Sequence, residues 1–205
     1  MRRFAALLSV LALAGAAPAY AGTPTRTSSA TFTDAQGDWA VPMQDVISGR
    51  VEATLRKNTV QKVRLSARMA SNLTGTPGDY DLILGGRDGN TCHVLAVRIR
   101  WSGAYVAQSY SYESSFACSS ESSAIALAGY GVQVLDYAVG GGPAVAYDTG
   151  DGVVADLQAP AWLHPGMDAT YTAFVHPPVT ATIVFATGSA QCTCDFGYLT
   201  KTWRV

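Results

Sequence analysis

The sequence predicts an all-β protein, an antiparallel β-sandwich of jelly-roll-like form with about ten strands. Three observations carry that prediction. Apolar and polar residues alternate with a period of two over several long stretches, no stretch keeps a helical period, and turn-forming residues recur between the alternating runs. Composition agrees. Charged residues make up 14% of the chain, against about 25% in an ordinary soluble domain. Thr, Ser, Gly, Ala, Val and Tyr take their place, as in secreted β-proteins with a neutral polar surface.

The first segment reads as a leader. Arg2 and Arg3 form a positive end, Phe4 to Ala17 is apolar, and Ala19-Tyr20-Ala21 is a small-residue cleavage site. The apolar run is too short to span a bilayer. Residues 1–21 are therefore expected to be a signal peptide. Residues 22–205 are expected to be one secreted domain, extracellular or periplasmic, with no membrane span after cleavage. The formal net charge is −1, and no basic patch or run stands out, so nucleic acid is not an expected partner.

The first strand ends in Phe32-Thr33-Asp34-Ala35-Gln36-Gly37-Asp38-Trp39, then come Pro42 and Asp45. In the next run Ile47, Val51, Ala53 and Leu55 share one parity, and Arg50, Glu52, Thr54 and Arg56 the other. After a turn at Lys57-Asn58-Thr59 the pattern repeats. Val63, Leu65, Ala67 and Met69 alternate with Lys62, Arg64, Ser66 and Arg68. Both runs are half-buried antiparallel strands. A loop from Ser71 to Gly78 contains the sequon Asn72-Leu73-Thr74. Strands at Tyr80–Leu84, Cys92–Trp101 and Ala104–Ser114 follow. A two-residue Ser102-Gly103 turn would pair Trp101 with Ala104 and Leu95 with Tyr110. That register places Trp101, Tyr110 and Tyr112 in the core. It leaves Tyr105 beside Arg98 and Arg100 on the polar face.

Residues 124–147 are nearly uncharged. Their glycines, Pro143 and Asp136 argue for two buried strands split by a turn at Gly140-Gly141-Gly142-Pro143, not for a membrane helix. Strands are expected at Ala124–Ala128, Gly131–Val139, Ala144–Tyr147, Val153–Leu157, Thr170–Val175, Thr180–Ala186 and Tyr198–Val205. The four cysteines, Cys92, Cys118, Cys192 and Cys194, sit in a chain that reads as exported, where disulfides are the default. The preferred pairing is Cys92–Cys118 with Cys192–Cys194; the alternative crosses the second pair onto the first. Cys192-x-Cys194 with His93 lacks the spacing of a structural zinc site.

The order Phe32-Thr33-Asp34-Ala35-Gln36-Gly37-Asp38-Trp39, then Pro42, then Asp45 opening a long strand, resembles the N-terminal segment of bacterial secreted β-sandwich domains. These are the DOMON-like and family 9 carbohydrate-binding-module-like domains. The specific match covers Asp34 to Asp38, Pro42 and Asp45. The resemblance implies a jelly-roll-like sandwich, and functions in that group include sugar binding, haem binding and accessory roles beside secreted enzymes.

On the residues themselves, Asp34, Asp38 and Asp45 form a candidate calcium site, since calcium takes six to eight oxygens from carboxylates, carbonyls and water. The competing role for these acids is to cap their own turn. Asp79, Asp81 and the segment Asp148-Thr149-Gly150-Asp151-Gly152 with Asp156 are assigned to surface turns. Tyr105, Arg98 and Arg100 are the candidate ligand-binding residues, because a planar ring beside hydrogen-bonding groups suits a sugar. Trp39 and Trp162 lie in loops, as lids over the core or as contact residues. His93 is expected to face the core. No G-x-S-x-G or H-E-x-x-H motif occurs, so no catalytic residue is assigned. The expected role is a secreted, calcium-stabilised, non-catalytic domain that binds a carbohydrate or cell-surface polymer. The alternatives are a structural or protein-interaction domain without a small ligand, and a hydrolase with an unrecognised site.

Overall fold

The computed structural model describes residues 24–34, 36, 45–75, 77–118, 142–143, 145–176 and 198–205. The described residues are all-β, with no helix among them. Eleven strands run β1 Thr25–Thr33, β2 Val46–Arg56, β3 Thr59–Met69, β4 Gly78–Asp88, β5 Thr91–Trp101, β6 Val106–Ala117, β7 Gly142–Pro143, β8 Val145–Asp148, β9 Gly152–Gln158, β10 Asp168–His176 and β11 Tyr198–Arg204. They form two antiparallel sheets, ordered β1-β2-β3-β9-β8 and β11-β10-β4-β5-β6-β7. We call these the first and second sheets. Their inner faces meet as in a β-sandwich.

The alternation of β2 and β3 is realised from Gly49 to Arg56 and from Lys62 to Met69; at the irregularity beside Val46, Val46 is buried and Ile47, expected inward, is only half-buried. Val51, Ala53, Leu55, Val63, Leu65, Ala67 and Met69 are buried in one core with Tyr80, Leu82, Leu84, Leu95, Val97 and Ile99 of the opposite sheet. The two sheets interlock because β3 leads across to β4 and β9 leads across to β10, while β9 pairs with β3 and β10 with β4. Tyr171 fixes the layers to each other. Its ring stacks on Phe32 at 5.9 Å, and its hydroxyl donates to the Ser66 carbonyl at 2.7 Å. Burial pushes the Tyr171 phenol pKa upward and that of Tyr80 up to about 12.

Each end of the core is plugged by a loop. At the Gly78 end of β4, the Trp101 indole donates to the Leu73 carbonyl at 2.8 Å, and Leu73 itself is buried. At the Gly86 end, Trp162 and Met167 pack so closely that a Cβ on Gly86 would collide with both. Trp162 is thus a lid over the core, one of the two roles its loop position allowed. Its ring stacks on His93 at 5.3 Å, and His93 is half-buried on the inward face as expected, with Nδ1 2.7 Å from the Ser115 hydroxyl.

Two expectations are corrected. The two-residue turn at Ser102-Gly103 does not form. Ser102 Oγ accepts from the amides of Ala104 and Tyr105 at 3.3 and 3.2 Å, and Gly103 takes φ +97°, so the loop uses four residues. With a bulge beside Trp101, β6 pairs Ile99 with Ser109, Arg98 with Tyr110 and Ala96 with Tyr112. From Gln108 onward this offset of three is odd, and an odd shift turns those side chains to the other face, while Val106, opposite Trp101, keeps its inward place. Tyr110 and Tyr112 therefore leave the core between the sheets, Tyr110 to pack half-buried against Ile83, Cys92, Val94 and Ala96 on the other face, whereas Trp101 stays in it. Gly142-Pro143, expected to be part of a turn, forms the short β7 against Ser111 and Tyr110. The strands expected at 124–128, 131–139 and 180–186 lie outside the described residues.

Candidate functional site

The Cys92–Cys118 disulfide is present. It ties the end of β6 to the start of β5, where the Cys118 amide also donates to the Asn90 carbonyl at 2.8 Å. A disulfide fits an oxidising, extracellular type of compartment. Cys192 and Cys194 lie outside the described residues. No helix among the described residues is long and apolar enough to cross a membrane.

Pairing of β1 with β2 brings Asp34 and Asp45 to the same end of the first sheet. The Asp34 amide donates to the Ile47 carbonyl at 2.9 Å, and the Asp45 carbonyl accepts from Ala70 at 2.9 Å. The Asp45 side chain is buried. Asp38, the third proposed ligand, lies outside the described residues, as does Trp39. Among the described residues no group of three His, Cys, Asp or Glu side chains is placed to hold a metal.

Tyr105, Arg98 and Arg100 are not brought together as a binding face. Tyr105 stands at the tip of the β5–β6 loop, 64% exposed. Arg98 is buried and held by Asp81 through two hydrogen bonds of 2.8 and 2.7 Å. Arg100 is held by Asp79 at 3.1 Å through each nitrogen, and that bond and charge raise its pKa. Asp79 and Asp81 are thus strand residues directly opposite two arginines, not the surface-turn residues expected. The Asp148–Gly152 segment does form the β8–β9 turn, with the Thr149 amide donating to the Gly152 carbonyl at 2.9 Å. Asp156, grouped with it, instead sits in β9.

The face best suited to a ligand is the outer side of the first sheet. Its register aligns Asp156, Arg64, Glu52 and Ser29 in one row, and Gln158, Lys62, Thr54 and Thr27 in the next. A groove of about 380 Å³ runs between them, lined by Thr27, Glu52, Thr54, Lys62, Arg64 and Asp156 among others. Arg64 is clamped by Asp156 at 2.7 and 2.9 Å; the hydrogen bond first, then the charge, raises the Arg64 pKa. Arg50 meets Glu52 at 2.7 Å and Arg68 meets Asp151 at 2.6 Å. These pairs hold long side chains in place on a strand surface. On the other side of the Arg64 row, Tyr147 of β8 pairs with Val154 and is 41% exposed.

The arrangement combines an exposed ring with ammonium, hydroxyl and carboxylate groups on rigid strands. Such a surface can stack one face of a ligand and exchange hydrogen bonds with its hydroxyls. The solvent parity of Arg50 to Arg56 and of Lys62 to Arg68 is visible in the alternation. That Thr27, Asp156 and Tyr147 extend the same face is not, because they come from strands far away in sequence. The only local signal is the alternation in TRTSSATFT and VVADLQ. No known protein family, curated protein or solved structure matches the chain.

Proposed function

We propose that the protein is a secreted, non-catalytic binding domain that takes a carbohydrate on the outer face of the first sheet. Its framework is a jelly-roll-like sandwich of about ten strands. The observation that carries the reading is the groove between the Arg64 and Lys62 rows, with the half-exposed Tyr147 ring beyond it. Sugars present flat apolar faces and rims of hydroxyls, and this face supplies partners for both. The resemblance of the Asp34–Asp45 segment to DOMON-like and carbohydrate-binding-module-like domains points the same way.

Affinity electrophoresis of the full chain through gels carrying neutral and acidic polysaccharides tests the reading. At least one polymer should retard the protein. Tyr147→Ala should weaken that retardation about two- to tenfold, the span of what a stacked ring contributes, without changing the melting temperature. Retardation by no polymer, or by one on which Tyr147→Ala binds as before, sinks the proposal.

Calcium belongs to the same proposal as the tie between β1 and β2, with Asp34, Asp38 and Asp45 supplying oxygens. The support is that strand pairing places Asp34 and Asp45 at one end of the sheet. A site of about 10 μM affinity adds about 2.7 kcal/mol in 1 mM calcium, or roughly 5 to 10 °C for a domain of this size. The melting temperature should rise by that amount over chelator and lose the rise in Asp34→Ala. Identical melts in calcium and chelator would assign these acids to turn capping.

A further inference from the structure

The outer face of the first sheet carries five cations, Arg50, Arg56, Lys62, Arg64 and Arg68, on alternate residues of β2 and β3. Three carboxylates neutralise three of them: Glu52 on Arg50, Asp156 on Arg64 and Asp151 on Arg68. Arg56 and Lys62 have no carboxylate partner among the described residues. Both are exposed. Lys62 lines the groove, and Arg56 stands one diagonal step along the neighbouring strand, where Thr54 pairs with Lys62 and Arg56 with Thr59.

The surplus is local. The chain as a whole has formal net charge −1. Among the described residues, Lys62 in this groove and Arg56 just beyond it have no carboxylate, while the other three cations on the face are balanced. Two charges left open beside hydroxyls of Thr27 and Thr54 favour a ligand that is both anionic and rich in hydroxyls. From these observations we infer that the ligand is an acidic glycan, with a carboxylate or sulfate group against Lys62 and Arg56 and a sugar ring toward Tyr147. This inference rests on the carbohydrate reading of the face and adds the charge of the ligand. Tyr147 and Lys62 lie four residues apart along the strands and two strands apart across them, a span of about 16 Å. An oligosaccharide stretch of a polymer, not a single sugar, reaches from one to the other.

The test compares each acidic polymer with its own neutralised form in affinity electrophoresis. The probes are polygalacturonate and its methyl ester, a sulfated galactan and its desulfated form, and single-stranded DNA. The protein is the full chain, with Arg56→Gln/Lys62→Gln and Tyr147→Ala as variants. Both cations are solvent-exposed, so the double variant keeps its fold, as its melting temperature verifies.

At least one acidic form should retard the protein more than its neutral form. The double variant should bind that acidic form about two- to thirtyfold more weakly, the span expected for two exposed ionic contacts. Its loss on the neutral form should be smaller, because glutamine keeps a hydrogen-bond donor at both positions. Tyr147→Ala should weaken both forms, and added salt should weaken only the acidic one. Whether the uronate or the sulfate polymer responds names the anionic group.

Equal binding of the acidic and neutral forms, still sensitive to Tyr147, overturns the acidic ligand and leaves the carbohydrate reading standing. The same holds if the double variant binds the acidic form unchanged while Tyr147→Ala does not. DNA that retards the chain as strongly as an acidic glycan overturns the inference in favour of plain polyanion attraction. If no polysaccharide retards the chain, the inference and the carbohydrate reading fall together.

Discussion

Tyr171 shows how much one side chain holds. It is fully buried between the sheets, bonds to the Ser66 carbonyl and stacks on Phe32. Burial raises its phenol pKa and that of Tyr80, the latter to about 12, against about 10 in an unfolded chain. The sign of the consequence follows. Below pH 10 both states keep these protons, and the two tyrosines add no pH dependence. Above pH 10 the unfolded chain releases protons that the folded one retains, so stability falls as pH rises. For Tyr80 the fall runs from pH 10 to about 12, and for Tyr171 it continues beyond. Each group contributes a slope of about 1.4 kcal/mol per pH unit within its window. Urea titrations at pH 9, 10 and 11 should show stability level and then dropping. Tyr171→Phe should be less stable at pH 9, through loss of the hydrogen bond, yet should decline less steeply. A profile flat to pH 11 would contradict the burial of both phenols.

The hairpins are where local chemistry and sheet geometry compete. The β2–β3 turn pairs Arg56 with Thr59, so Lys57 and Asn58 form a two-residue connection. Lys57 sits at φ 56°, a left-handed conformation that costs a residue with a Cβ about 1 to 2 kcal/mol. Glycine escapes that cost but loses more chain entropy on folding. Lys57→Gly should therefore stabilise the protein by about 0.5 to 1 kcal/mol, read as a higher urea midpoint at unchanged slope. A lower midpoint would show that the lysine side chain contributes more than its backbone costs. The β5–β6 hairpin shows the opposite outcome, because its side-chain chemistry sets the geometry. Ser102 Oγ captures two amides, the loop grows to four residues, and β6 is rephased beyond the bulge beside Trp101.

The sandwich as a whole is held by a continuous core, interlocked sheets and one described covalent tie. Cys92 and Cys118 are separated by 26 residues. Closing a loop of that length removes unfolded-state entropy corresponding to about 3.5 kcal/mol. The paired variant Cys92→Ala/Cys118→Ala should melt roughly 7 to 14 °C lower, with its β-sheet circular dichroism retained at room temperature. The core is built from many residues outside the disulfide loop, so the variant should still fold. Loss of sheet signal at room temperature would place far more of the stability in that single tie. The glycan binding proposed for the outer face of the first sheet should be the same in this variant, since the disulfide joins strands of the other sheet.

Period-two alternation is a property of consecutive residues, and so the buried parity of β2 and β3 is legible in the sequence alone. The same local pattern marks Leu95, Val97, Ile99 and Trp101 as core, and cysteines in a chain whose first residues read as a leader point to disulfides. Which strands lie beside which is set by turn geometry and by partners distant in the chain. Local pattern is silent there. That is why Tyr110 and Tyr112 change face when Ser102 lengthens one turn. It is also why Arg98, charged and placed on a polar parity, proves to be buried against Asp81. The candidate groove has the same origin. Arg64 and Asp156 are 92 residues apart, and Thr27, Lys62 and Tyr147 share a surface only because β1, β3 and β8 fold into one sheet.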